Sequence, residues 1–214
     1  RAAKSAKKKK GTKKAKSLRA LRKRCAKTQK LAIALDMDET MMSSYRYGSP
    51  QPNYDNPFSR YRNLILGSQT ALKPMKDVYD YARNRGVSMF VITARYDPLI
   101  ADPTVGTVLG GSDLCDPAFS WTGACGLDLN NYDFRKVTRD NLIQEGYLGF
   151  KGLYMRPPDS PDMVGIVKNS QRAEISLRRG YRIIAMFGDQ PVDLEGGFYE
   201  RGFKFQSPVG PDTP

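Results

Sequence analysis

The 214 residues suffice for one sizeable core and hardly for two, and the net charge of +13 is carried by one end. Arg1 to Lys30 holds 15 Lys and Arg and no acid, while the remainder sets 20 basic against 22 acidic side chains, a net of −2. With no histidine in the chain, histidine phosphotransfer, a Ser-His-Asp triad and most imidazole-built zinc sites are excluded.

A cysteine phosphatase loop needs Arg six positions after its Cys, and Cys25, Cys115 and Cys125 are followed there by Leu31, Trp121 and Asn131. An odd number of cysteines in a chain of this size makes a poor disulfide framework, and a bridge between Cys115 and Cys125 stays open. No apolar run approaches the roughly 18 to 20 residues of a membrane span, so a soluble protein is expected.

In chain order, residues 1–17 are almost purely Lys, Ala, Gly, Ser and Thr, which gives a core nothing to use and predicts disorder in isolation. Leu18, Leu21 and Cys25 fall at helical spacing and predict a short basic helix over Leu18 to Lys27. The expected division is a basic arm, residues 1–30, ahead of a folded domain, residues 31–214. That domain opens on Leu31 to Leu35, an apolar run of the length of a buried parallel strand, which leads straight into Asp36-Met-Asp-Glu-Thr40. Tyr45, Tyr47, Tyr54, Phe58 and Tyr61 follow at irregular spacing, a pattern that favours packing under a loop over a roof to a site.

Lys73 to Arg85 predicts a helix with Pro74 in its first turn, Met75, Val78, Tyr79 and Ala82 on one face and Gly86 as its stop. A second buried strand, Val87 to Ile92, ends at Thr93-Ala-Arg95. Arg95 to Lys136 is rich in Gly, Asp and Pro and reads as a long loop or small insertion. Then come a helix near Val137 to Glu145 stopped by Gly146, a strand at Gly152 to Met155, and a helix at Ser170 to Arg179 stopped by Gly180 with Lys168 just ahead. A fourth strand, Arg182 to Phe187, runs into Gly188-Asp-Gln-Pro-Val-Asp193. Such alternation predicts an α/β fold, a Rossmann-like, mostly parallel sheet with helices on both faces. Its ligands belong beyond the carboxyl ends of the strands, where these polar clusters fall.

Asp36 and Asp38, two apart at a strand end, present both carboxylates to one side while the strand stays extended. Alone, the pair sets a catalytic reading evenly against the blander one of a metal site or a cap. Thr93 adds a hydroxyl, Lys168 a fixed positive charge, and Asp189 with Asp193 a second carboxylate pair. Phosphoryl transfer asks for this set: a nucleophile, oxygen ligands for a hard cation, donors to the non-bridging oxygens and an acid for the leaving group.

Read together, Asp36-Met-Asp-Glu-Thr40, Thr93, Lys168 and Gly188-Asp-Gln-Pro-Val-Asp193 resemble the four motifs of the haloacid dehalogenase superfamily. Gly152-Leu-Tyr-Met-Arg-Pro-Pro-Asp159, Lys168-Asn-Ser-Gln-Arg172, Gly180-Tyr-Arg-Ile-Ile184 and Phe203-Lys-Phe205 are similar to late motifs of its acid phosphatase branch, which includes the plant vegetative storage proteins. The likeness runs from about Leu31 to Pro208, and the segment from Arg95 to Lys136 has no counterpart in it.

The resemblance implies a Mg²⁺-dependent phosphomonoester hydrolase with an aspartyl-phosphate intermediate. Asp36 would be the nucleophile and Asp38 the acid and base. Mg²⁺ would be held by Asp36, the Asp38 backbone carbonyl and Asp189, with Asp193 as a further or outer ligand. Thr93 and Lys168 would bind the phosphoryl oxygens, whereas Arg95 and Arg172 read as salt-bridge partners before ligands.

The arm suggests a second role, in which the domain is a non-catalytic or moonlighting component of a ribonucleoprotein such as an organellar (mitochondrial) ribosome. Lys7, Lys8, Lys9, Lys10, Lys13, Lys14, Lys16, Arg19 and Arg22 are its candidate RNA contacts. No secretory signal is recognisable and the chain opens on Arg1. The expected compartment is an organelle, mitochondrion or plastid, after N-terminal processing, with a secreted or vacuolar location as the alternative.

Overall fold

A computed structural model describes residues 30–43, 64–98, 131–160 and 163–206. The basic arm with its predicted helix, the three cysteines, the aromatic stretch from Tyr45 to Tyr61 and most of the segment between Arg95 and Lys136 lie outside the described residues. The chain divides into two units, Arg1–Lys30 and Leu31–Pro214, and the sheet and its site belong to the second.

The elements in chain order are β1 (Lys30–Leu35), β2 (Met42–Ser43), β3 (Thr70–Ala71), α1 (Lys73–Arg83), β4 (Ser88–Tyr96), α2 (Phe134–Gln144), β5 (Gly152–Arg156) and α3 (Val164–Ala173). A π-helical turn (Glu174–Arg178), β6 (Tyr181–Gly188), a 3₁₀ turn (Pro191–Leu194) and β7 (Gly202–Lys204) complete them. Five strands form one sheet in the order β5-β4-β1-β6-β7, with β1 parallel to β4, β4 to β5 and β6 to β7. The chain steps outward from β1 through β4 to β5 and then crosses to the other side of β1 for β6. Strand order therefore reverses at β1, the point where open α/β sheets hold ligands.

Side chains alternate across β1, so Ile33 and Leu35 join one core with Met89, Val91, Met75, Tyr79, Ala82 and Leu142, while Ala32 and Ala34 join another with Phe90, Ile92, Ile183, Met186 and Ile175. The first core is closed by α1 and α2 and the second by the turn that prolongs α3. Helices thus cover both faces, as expected. A strand buried from both sides has no polar face to show, which is why these strands read as unbroken apolar runs.

Helix α1 buries Met75, Tyr79 and Ala82 and leaves Val78 partly covered against the same core. Helix α2 begins at Phe134, three residues before the predicted start, because the Asp133 side chain accepts from Lys136 N at 2.8 Å and Phe134 is buried. Helix α3 requires a larger correction. It starts at Val164 instead of Ser170, so Lys168 lies within the helix and not ahead of it. Gly165 in its first turn is there for closeness: a Cβ on it would lie 2.1 Å from Glu195 Oε2, the carboxylate that settles against that turn. β4 runs on through Thr93 and Arg95 to Tyr96, and the antiparallel pairing of β2 with β3 leaves no signal in the sequence. Among the described residues no helix is long and apolar enough to cross a membrane.

Candidate active site

Past β1 the chain folds into a tight loop hung on its methionines. Met37, Met41 and Met42 are fully buried, and since Met37 points into the core, Asp36 and Asp38 on either side of it face the other way. Asp36 N donates to Phe187 O at 2.9 Å, which ties the loop to β6. Met41 N and Met42 N both donate to Met37 O at 2.9 Å, and Met41 O accepts from Leu72 N at 2.9 Å and from Tyr147 Oη at 2.7 Å. Glu39 takes the left-handed conformation (φ 56°) that lets so short a loop reverse.

Beyond β6 a second turn delivers Asp189 and Asp193. Gln190 and Asp193 form a capping box around the 3₁₀ turn, with Gln190 N donating to Asp193 Oδ2 at 3.0 Å. Gly188 makes room for it, because a Cβ there would lie 2.2 Å from that of Asp193. Arg172, fully buried on α3, donates to Asp193 O at 2.8 Å, to Gly197 O at 3.0 Å and to Glu195 O. One guanidinium thereby pins the loop that carries both carboxylates.

These turns meet where β1 and β6 end. Ligand oxygens of Asp36, Asp189 and Asp193 lie within 4.8 Å of one another, and all three residues are buried. Lys168, only 2 % exposed, reaches in from α3 and donates to Asp36 Oδ1 at 2.5 Å and to Asp193 Oδ1. Asp189 accepts from Thr40 Oγ1 at 3.4 Å and from Gln190 Nε2 at 2.9 Å.

Burial alone would discharge Lys168, but Asp36 and Asp193 outweigh it and hold the ammonium's pKa above its ordinary value. Asp36 is pushed well above the usual carboxylate range, first by burial and then by Asp193 and Asp189, against which Lys168 provides the main opposing charge. One ammonium among three carboxylates leaves the cluster short of positive charge.

The structure thus brings together Asp36, Asp189, Asp193 and Lys168. The Asp38 carboxylate stands apart from that cluster and engages Arg95, Gln69 and Thr93. Thr93 Oγ1 also accepts from Arg95 N at 3.2 Å. Sequence reasoning passed over Gln69 and gave Thr40 and Gln190 no role. It read Arg95 correctly as an ion-pair partner but without its carboxylate. The available signal was strand spacing, since Thr93 and Arg95, two apart on β4, share a side. For Gln69, in an irregular stretch before β3, there was none.

The domain is thus a reversing α/β sheet with an acidic cluster and a buried lysine at its switch point. The sequence matches the family described as HAD superfamily, subfamily IIIB (acid phosphatase), over residues 4–108 and 131–209. The chain belongs to that family. The match begins upstream of Leu31, and the segment with no counterpart narrows to residues 109–130.

Over 80 residues, 36% of this chain, the sequence is 35% identical to the Stem 28 kDa glycoprotein of Glycine max, and over 79 residues it is 35% identical to the Stem 31 kDa glycoprotein of the same plant. These alignments cover 32% and 27% of those proteins, so the chain spans about a third of the length of the curated relatives it matches. The solved class C acid phosphatase from Bacillus anthracis with tungstate bound is similar over 82% of this chain and 59% of that one, with a TM-score of 0.47 and 19% identity.

Proposed function

We propose that this domain is a Mg²⁺-dependent phosphomonoester hydrolase that works through an aspartyl-phosphate on Asp36. The observation that carries the reading is the cluster itself, three buried carboxylates within 4.8 Å and one buried ammonium, whose formal charge of −2 with every carboxylate ionised matches one divalent cation. Hard oxygen donors are the ligands Mg²⁺ prefers. Asp36, Asp189 and the Asp38 backbone carbonyl would hold it, with Asp193 acting mainly through Lys168. When bound, the cation neutralises the cluster and the phosphoryl oxygens, and so allows Asp36 to stay ionised.

The chain's own residues do the rest. An Asp36 oxygen attacks phosphorus, while Thr93 and Lys168 supply donors to the phosphoryl oxygens and Lys168 keeps an anionic substrate from being repelled. Asp38 gives a proton to the leaving oxygen and later takes one from the water that attacks the aspartyl-phosphate. Hydrolysis of p-nitrophenyl phosphate by wild type and Asp36→Asn, with Mg²⁺ and with excess chelator, tests the reading. Turnover should require both the cation and Asp36; equal rates from the two proteins would refute it.

A second reading is favoured by the charge division, 15 basic residues and no acid in the first 30. It makes the arm a tether to RNA within an assembly such as an organellar ribosome, compatible with a catalytic domain behind it. An affinity for RNA indifferent to salt would argue against it.

A further inference from the structure

Both oxygens of Asp38 are claimed by side chains from distant parts of the chain. Oδ1 accepts from Arg95 Nη2 at 2.6 Å and from Gln69 Nε2 at 2.9 Å; Oδ2 accepts from Arg95 Nε at 2.9 Å and from Thr93 Oγ1 at 3.4 Å. Two parallel bonds from one guanidinium fix a carboxylate's plane as well as its place. The guanidinium is in turn held from behind, because Nη1 donates to Thr138 Oγ1 at 3.3 Å, Nη2 also donates to Gln69 Oε1, and the group stands 5.7 Å from the centre of the Phe134 ring.

Gln69 closes the ring. It donates to Asp38 and accepts from Arg95 through its two amide atoms, and its backbone carbonyl accepts from Asn141 Nδ2 at 2.9 Å. Asp38, Arg95 and Gln69 therefore form a closed cycle braced on α2 at Thr138 and Asn141. Within the ion pair the Arg95 side chain is 4% exposed and that of Asp38 31%. The buried cation is the fixed partner, and the carboxylate it holds is the more exposed of the two.

We propose that Arg95, with Gln69, is a positioning residue that aims the Asp38 carboxylate for its two proton transfers. The proposal rests on the phosphohydrolase reading above. In the first half-reaction the bond between phosphorus and the leaving oxygen breaks as the Asp36–phosphorus bond forms, and a proton passes from Asp38 to the leaving oxygen. In the second, a water O–H gives its proton to Asp38, the water oxygen bonds to phosphorus and the Asp36–phosphorus bond breaks. Both transfers need the same carboxylate oxygen within reach of the line of attack, and a carboxylate free to rotate would spend little time there.

The test compares phenyl phosphate, whose leaving oxygen needs a proton, with p-nitrophenyl phosphate, whose leaving oxygen needs little help, on the full chain with Mg²⁺. For Arg95→Met, kcat/KM for phenyl phosphate should fall at least about tenfold more than for p-nitrophenyl phosphate, in line with the size of general acid contributions. Asp38→Asn should show the same discrimination, and Arg95→Lys, which restores charge without the fork, should recover only part of it. Gln69→Leu removes no charge and carries the same comparison with a smaller effect, should Arg95→Met fold poorly. Equal losses on the two esters, tracking a fall in Tm, would overturn the positioning role and leave the parent reading intact. A wild-type rate on both esters no higher than that of Asp36→Asn would overturn the parent reading, and this inference with it.

Discussion

As the proposed nucleophile, Asp36 has to ionise in a place that water barely reaches, and the residues around it set how hard that is. A carboxylate whose folded pKa is raised favours folding most while it is protonated. Its contribution is complete below its ordinary value of 3.8 and is lost as pH climbs through the folded value. Metal-free wild type should therefore lose stability relative to Asp36→Asn as pH rises from about 4 toward neutrality, and saturating Mg²⁺ should close the gap. Urea unfolding of both proteins across that range measures it; a gap independent of pH would show that the strain on Asp36 is absent.

Lys168 works in the opposite sense, since it is the only ammonium the cluster has among the described residues. Lys168→Met should cost about 3 to 5 kcal/mol in metal-free protein, because it strands buried carboxylates without a counter-charge, and less when Mg²⁺ is present. Guanidinium or urea titrations with and without the cation distinguish the two. The convergence of Asp36, Asp189 and Asp193 was legible in sequence because carboxylates just past two strand ends of one sheet meet there, and Lys168, which reaches them from within α3, was legible as a fixed charge. Gln69 was not legible, since a neutral amide in an aperiodic stretch looks like any loop residue.

At the scale of elements, the site depends on close approach. Gly188 ends β6 where a Cβ would collide with Asp193 at 2.2 Å, so Gly188→Ala should push that carboxylate off Lys168. The Mg²⁺ concentration for half-maximal activity should rise about tenfold or more, as when other supports of a metal ligand are removed, while far-UV circular dichroism stays unchanged. An unaltered Mg²⁺ dependence would mean that Asp193 supports no cation.

Arg172, with three carbonyl acceptors on one loop, leaves all three unpaired when replaced. Arg172→Met should cost at least about 3 kcal/mol by urea unfolding, and Arg172→Lys should not restore it. The strands were readable because burial on both faces leaves an unbroken apolar run, as in Ala32 to Leu35. The start of α3 was not, because its first turn is held by the close approach of Glu195 to Gly165, a distant contact with no local signature. A two-residue pairing such as β2 with β3 is too short to leave a pattern.

For the molecule as a whole, charge and chemistry are separated along the chain. The first 30 residues carry +15 and the remainder a net −2, so polyanion affinity and phosphoryl chemistry should respond to different variants. Replacing Lys7, Lys8, Lys9 and Lys10 by Gln should flatten the dependence of log Kd on log salt for single-stranded RNA by up to about 0.7 for each phosphate that is no longer neutralised and leave ester hydrolysis unaffected. Fluorescence anisotropy across a salt series reads the first effect. Composition alone showed that division, and the alternation of strands and helices showed the layered sheet. The order β5-β4-β1-β6-β7 was beyond it, because which strands become neighbours is decided by crossovers that leave no local signature.

On the proposed mechanism a phosphoryl group passes through one particular carboxylate, that of Asp36. Acid quenching during turnover of p-nitrophenyl phosphate with Mg²⁺, followed by borohydride reduction, converts an aspartyl-phosphate to homoserine, which peptide mass mapping locates. Homoserine should appear at position 36 and vanish in Lys168→Met or without the cation. Turnover with homoserine at another aspartate, or with none at all, would contradict the account.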